Sequence, residues 1–288
     1  MSEIEKLEIP GHVSLISGEG ELAKLVIHSQ SSVAEIYLHG AHVTRFEKPG
    51  EAPLLFMSEA GEFAHNKPIR GGVPVIFPWF GPRDGLPAHG YARTVEWDLR
   101  KTSLSPYGSV SLHFELPRLG EFKVEYIVTI GAELTLELVV TNNGDRESEF
   151  ETCLHTYFQV SDINDISITG LSKCGFFNKL NDANMVETAR ELRISSEVDR
   201  VYYDTTSTVE IRDPGYGRKI RIEKSGSNST VVWNPWIDKS IRMPDFGDEE
   251  YLTMVCVESG NVGINKITLP AGERSVLKVV LGSEKLLS

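Results

Sequence analysis

The chain reads as an all-β protein, a large antiparallel β-sandwich. Three observations predict this: long runs in which apolar and polar residues alternate, turn residues closing those runs, and a scarcity of runs with a helical period. Alternation with period two gives a strand one buried face and one exposed face. Sheets with such strands bury their apolar faces by packing against each other.

Taken in order, the first notable element is "YLHGAHVTRF", with His39 and His42. Two nearby histidines in an all-β chain invite a cupin-like metal site. Their positions differ in parity, so on a regular strand they point to opposite faces unless a bulge at Gly40 intervenes. With no third ligand clustered nearby, no metal is expected. His12, His28, His65 and His113 read as surface or loop residues.

"IRGGVPVIFPWFGPRDGLPAHGYAR", residues 69–93, is the densest run of backbone punctuation, with four prolines and five glycines in 25 residues. Proline removes a donor and glycine permits positive φ, so neither a helix nor a central strand is expected here. A loop system held in one shape, carrying Arg70, Trp79, His89 and Arg93, is a functional candidate.

Three strands follow. "SVSLHFEL" sets Val110, Leu112, Phe114 and Leu116 on one face. "FKVEYIVTI" does so with Phe122, Val124, Tyr126, Val128 and Ile130, and "AELTLELVV" with Leu134, Leu136, Leu138 and Val140. Turns are expected at "IGAE", "NNGD", "DPGYG", "SGSN" and "PAGE". In "SEFETCLHTYFQV", residues 148–160, alternation puts Glu151, Cys153, His155, Tyr157 and Gln159 on one face and Phe150, Thr152, Leu154, Thr156 and Phe158 on the other. His155 then sits mid-strand, either hydrogen-bonded in a core or available for chemistry. "VVWNPW" offers Trp233 and Trp236, as sugar platforms or as an aromatic corner of the core. "YLTMVCVESGNV" is an apolar strand expected to end at Glu258 before an "SGN" turn. A carboxylate there is either solvated or held in a cleft, because burying it unpaired is costly. Only "FMSEAGEFAH" and "FGDEEY" suggest short helical turns. With no linker or repeat visible, residues 1–288 are expected to form one domain.

Bulk properties narrow the partners. The charge balance is 29 − 41 = −12 with no basic run, which disfavours nucleic acid and anionic membrane surfaces. The same field opposes an anionic small substrate, so a phosphate site needs locally concentrated arginines; Arg70 and Arg93 are the candidates. No stretch of about 18 apolar residues is present. The charged start lacks the apolar core of a secretory signal. Three widely spaced cysteines, Cys153, Cys174 and Cys256, match no disulfide framework or zinc pattern. A reduced, cytoplasmic protein is expected. No phosphate-binding glycine loop or serine elbow is found.

The motifs "RGGVPVIFPWFG", "LPAHGYAR", "LHTYFQVSDI", "VVWNPWIDKS" and "VCVESGNV" occur in this order. Together they resemble the aldose 1-epimerase (galactose mutarotase-like) family, in its hexose-6-phosphate branch, over nearly the whole chain. The resemblance implies a galactose mutarotase-like β-sandwich that interconverts the α and β anomers of a hexose 6-phosphate, glucose 6-phosphate first among them, with no cofactor. It implies His155 and Glu258 as the catalytic pair, and Arg70, His89, Arg93 and Asp199 as substrate contacts. One position departs: the family commonly reads "LPQHG", and Ala88 stands here in place of glutamine. A mutarotase for neutral aldoses, a non-catalytic carbohydrate-binding protein and an interaction scaffold are the competing expectations.

Overall fold

The computed structural model describes residues 5–286, and strands dominate them. Two eight-stranded sheets form the body, beside a four-stranded sheet at the N-terminal end (Val13–Ser17 to His42–Glu47) and a two-stranded one. One large sheet runs Ser167–Thr169, Val209–Asp213, Arg218–Ser225, Arg274–Lys285, Leu134–Asn142, Phe122–Ile130, Val110–Glu115 and Asp98–Leu104. The other runs Ala183–Val186, Gly175–Asn178, Val198–Tyr203, Ser229–Asn234, Met254–Asn261, Thr152–Leu154 and Val75–Ile76, with Tyr157–Gln159 also paired to Met254–Asn261. The ladders within both are antiparallel.

The alternation explains how the two sheets meet. Along Phe122–Ile130 every second residue is buried. Those residues join one cluster with Leu154, Phe158, Val232, Val255 and Val257 from the other sheet. Buried apolar side chains of this size contribute roughly 1.5–3 kcal/mol each by leaving water. All five expected turns fall between consecutive strands.

The second sheet does not alternate. Ser229–Asn234 and Met254–Asn261 are buried at every position. Their outer face carries two smaller apolar clusters, one with Tyr157, Trp233, Met254 and Cys256, the other with Cys153 and Val231. The segment of residues 69–93 adds Val75–Ile76 to the edge of this sheet and brings Phe80 and His89 over its outer face.

Three local expectations change. The strand through residues 148–160 is interrupted: Ser148–Phe150, Thr152–Leu154 and Tyr157–Gln159 are separate, and His155 lies at a break instead of mid-strand. There the Thr156 N–H turns back onto the Leu154 carbonyl at 3.0 Å, so ladder pairing stops. The facing survives the break, since Leu154 and Phe158 still enter the core. The strand holding Glu258 does not end there but continues to Asn261, because Ser259 and Gly260 pair with Leu154 and Cys153. "FMSEAGEFAH" forms no helical turn: the Glu250 carboxylate takes the Ser58 hydroxyl at 2.6 Å and the Glu59 N–H at 2.7 Å. From "FGDEEY" only a 3-10 turn at Glu250–Thr253 forms, and the α-helix lies just upstream at Trp236–Arg242.

Candidate active site

The outer face of the second sheet is where the candidate residues meet. Glu258 projects from Met254–Asn261, and His155 from the break beside it. Their contact is direct, with His155 Nε2 3.3 Å from Glu258 Oε1. Glu258 is 1% exposed. Burial is the main influence on both groups, raising the Glu258 carboxyl well above its ordinary range and lowering the His155 imidazole well below its own. His89, Arg93 and Arg70 push His155 the same way. Both shifts move the pair toward its uncharged arrangement relative to water, with the exchangeable proton on Glu258 and the imidazole neutral.

Aromatic rings hold His155 in place. Tyr157 stacks on it at 4.8 Å and 13°, while His89 and Trp233 meet it edge-on at 5.7 and 6.3 Å. These groups line a pocket of about 240 Å³ together with Arg70, Phe80, Lys179, Asp199, Lys239 and Met243. Larger hollows occur, one of about 390 Å³ near Glu35 and Phe63, another of about 400 Å³ near Phe177 and Ile264. Neither contains a histidine, so neither offers this acid–base chemistry.

The punctuated loop is a rim above that floor. His89 takes φ +66°, a left-handed conformation uncommon outside glycine. The Gly81 N–H donates to His89 Nδ1 at 3.3 Å. An accepting Nδ1 puts the ring proton on Nε2, which leaves His89 a hydrogen-bond donor. Burial, with Arg93, Lys179 and Arg70 adding to it, lowers its pKa to about 3, so the donor is neutral. Two side chains pin the rim by its carbonyls: Trp79 Nε1 donates to Pro87 O at 3.1 Å and Arg93 Nη2 to Ala88 O at 2.8 Å. Between Trp79 and those carbonyls an exposed turn closes with Leu86 N–H on Arg83 O, and the Arg83 guanidinium lies 4.9 Å above the Trp79 ring.

The charged candidates separate by surroundings. Arg70 donates through Nε and Nη2 to Asp245, at 2.9–3.2 Å, and through Nη1 to the Tyr157 hydroxyl at 2.9 Å. Burial opposes its charge, but Tyr157 and Asp245 outweigh burial and hold its pKa above the ordinary value. Arg93 is not part of the pocket lining; its Nε is unpartnered among the described residues, and burial with nearby Arg70 lowers its pKa to about 10. Asp199 lies between two lysines, Lys179 at 3.4 Å and Lys239 at 3.8 Å. At position 88, the exposed methyl group supplies no polar atom where the resemblance expects an amide.

Five of the six candidates thus line one pocket, and Arg93, outside that lining, reaches it through its charge on His89, His155 and Glu258. Reading the sequence missed Lys179, Lys239 and Asp245, which come from distant segments, and gave no site role to Tyr157, which shares the outward face with His155. Trp233 lines the pocket, whereas Trp236 packs on Tyr251 at 5.2 Å. His39 and His42 do not form a site; each Nε2 donates to a backbone carbonyl, of Lys67 at 2.7 Å and of Gly71 at 2.8 Å. His155, Cys256 and Glu258 place donor atoms within 4.8 Å of one another. One Glu258 oxygen contacts His155 Nε2 at 3.3 Å and the other accepts the Cys153 thiol at 3.4 Å, so both already have partners within the protein.

Comparison with known proteins identifies the family and the fold. The sequence profile of the family described as aldose 1-epimerase matches residues 24–282. The chain belongs to the aldose 1-epimerase family. Within it, a protein of Escherichia coli K12 named "Putative glucose-6-phosphate 1-epimerase" is 37% identical over 83% of this chain and 83% of its own length. A protein of Cenchrus ciliaris with the same name is 32% identical over 90% of this chain and 84% of its own. The crystal structure of a "putative mutarotase" from Salmonella typhimurium superimposes with a TM-score of 0.87 at 28% identity, covering 96% of this chain and 95% of that one. Among the described residues no helix is long and apolar enough to cross a membrane.

Proposed function

We propose that this aldose 1-epimerase family member interconverts the α and β anomers of a hexose 6-phosphate, with Glu258 and His155 as its acid–base pair. The observation that carries the reading is the 3.3 Å contact of His155 Nε2 with Glu258 Oε1 on the floor of a pocket edged by basic side chains. Ring opening takes a proton from the C1 hydroxyl and gives one to the ring oxygen as the C1–O bond breaks. The open aldehyde turns about its C1–C2 bond and recloses with the two roles reversed. Both oxygens belong to C1, so the base and the acid must be neighbours.

Glu258 acts as base and His155 as acid in the opening direction. Their two one-proton arrangements, ionic and neutral, are then the states before and after opening. Burial, by favouring the neutral arrangement, brings the two closer in energy than in water. Asp199 and neutral His89 hold sugar oxygens. Arg93 is assigned to the phosphate, because Arg70 already uses its fork on Asp245, and Lys179 supports it electrostatically. The relatives named as glucose-6-phosphate 1-epimerases support glucose 6-phosphate as the substrate. Residues 1–288 are proposed to work as one domain, since strands from distant parts of the chain share both large sheets. The free thiols support a reducing, cytoplasmic setting.

The engagement of Arg70 by Asp245 favours one alternative, a mutarotase for neutral aldoses. The test is the anomerisation rate of freshly dissolved α-glucose 6-phosphate, followed by NMR, with glucose alongside. Acceleration of the phosphosugar over glucose is expected. Acceleration of glucose alone sinks the phosphate assignment, and acceleration of neither sinks the epimerase reading.

A further inference from the structure

Glu258 has a second neighbour to which no site motif points. Cys153 Sγ lies 3.4 Å from Glu258 Oε2 with the thiol as donor, and both residues are buried. Strand pairing explains the reach. Cys153 sits opposite Gly260, and Glu258, two residues earlier on that strand, shares its face. Gly260 keeps the lane open: a Cβ there would stand 2.9 Å from Cys153 Cα and Cβ and 2.4 Å from the Thr152 carbonyl oxygen. The two carboxylate oxygens are thereby divided, Oε1 to His155 and Oε2 to Cys153.

We propose that Cys153 is a positioning residue for the Glu258 carboxylate, its S–H fixing Oε2 so that Oε1 faces His155 and the sugar, and favouring the ionised form. The proposal rests on the acid–base reading above. A thiol serves only while protonated, and burial, reinforced by the Glu258 charge, keeps the Cys153 pKa well above its ordinary value. The lane is specific in direction. Val231, which pairs with Glu258 across the neighbouring strand, has no polar side chain to compete. The other groups acting on Glu258 are Asp199, which disfavours its charge, and Lys179 and Arg93, which favour it. Cys256 lies on the same face two residues earlier, Arg70, Tyr157, His89 and Lys239 complete the charged and titratable lining, and Lys224 acts on the Cys153 thiol against burial.

The thiol acts against burial, so its removal has a definite sign. Without the donor the carboxylate is less stable and Glu258 holds its proton to higher pH. The test is the titration of Glu258 by infrared difference spectroscopy, its protonated carboxyl band assigned by loss in Glu258→Gln. In Cys153→Ala the midpoint is expected to rise by roughly half to one pH unit, the size expected when a weak donor to a charge is lost. In Cys153→Ser, a hydroxyl restores the donor and the midpoint returns to the wild-type position or below. The pH profile of anomerisation moves in the same direction. Cys153→Val removes the donor while filling the space, and replaces the alanine variant if that variant unfolds. An unchanged midpoint in the donor-less variant, or a serine variant that behaves like it, overturns the proposal. A wild type that fails to accelerate anomerisation overturns the epimerase reading instead, and the infrared midpoints still decide the role of Cys153.

Discussion

The strands Phe122–Ile130 and Met254–Asn261 are built from similar residues and put to opposite uses. The first alternates, one face in the core and the other carrying Lys123, Glu125 and Thr129 outward. The second is buried on both faces and includes a carboxylate. A strand with one wet face settles its polar groups in water and leaves them chemically ordinary. A strand with two dry faces must find partners for each polar group, and that confinement alters proton affinity. The site belongs to the dry strand.

That contrast breaks first at Glu258. Glu258→Gln keeps the shape and removes the proton acceptor, so anomerisation should fall by about 10² to 10⁴ with the fold retained, as rate assays and circular dichroism together would show. A similar free energy at the alternating sheet has a different consequence. Leu136, buried opposite Val128, should cost about 2–5 kcal/mol of stability as Leu136→Ala, measured by urea unfolding, while turnover per folded molecule stays the same.

Acid should distinguish a buried histidine outside the site from one within it. Burial lowers the His42 pKa to about 4 despite its bond to the Gly71 carbonyl, with His39 and Arg93 adding repulsion. Between the unfolded value of about 6.5 and pH 4 the unfolded chain binds the extra proton, so stability falls as pH drops and levels off below. The His42 share is about 3 kcal/mol. Melts at pH 7 and pH 4 should show a smaller loss in His42→Gln than in wild type. At the rim, Arg93→Ala should lower kcat/KM for glucose 6-phosphate by roughly 10- to 100-fold, the effect of losing a charged hydrogen bond, and by less for glucose, which loses only the clamp on Ala88. The smallest effect is expected on the wet face. Lys278 and Glu137 pair at 3.1 Å with both side chains at least a third exposed, and Lys278→Ala should move stability by no more than about 1 kcal/mol.

Legibility follows the same division. The strands of the alternating sheet were readable because each residue reports its own environment through its polarity. The turns were readable because glycine, proline and asparagine have few other uses there. His155 and Glu258 drew notice as polar residues amid apolar ones, and the ordered motifs joined them to Arg70, His89, Arg93 and Asp199. What stayed hidden needs contacts between distant segments. Nothing near Arg70 announces Asp245, and nothing near Asp199 announces its two lysines. The strand break at His155 was hidden too, since a break that preserves alternation leaves no mark on the pattern.

The two carbonyl anchors of the rim have a consequence for how this protein could change. Trp79 and Arg93 hold Pro87 and Ala88 from opposite ends of the loop, so the exposed turn at Asp84 and Gly85 hangs outside both clamps. Extra residues at that tip would leave His89 where it is. The tip of the rim is thus an interchangeable part on a fixed mount, and a tag belongs at Asp84, outside the clamps that hold His89.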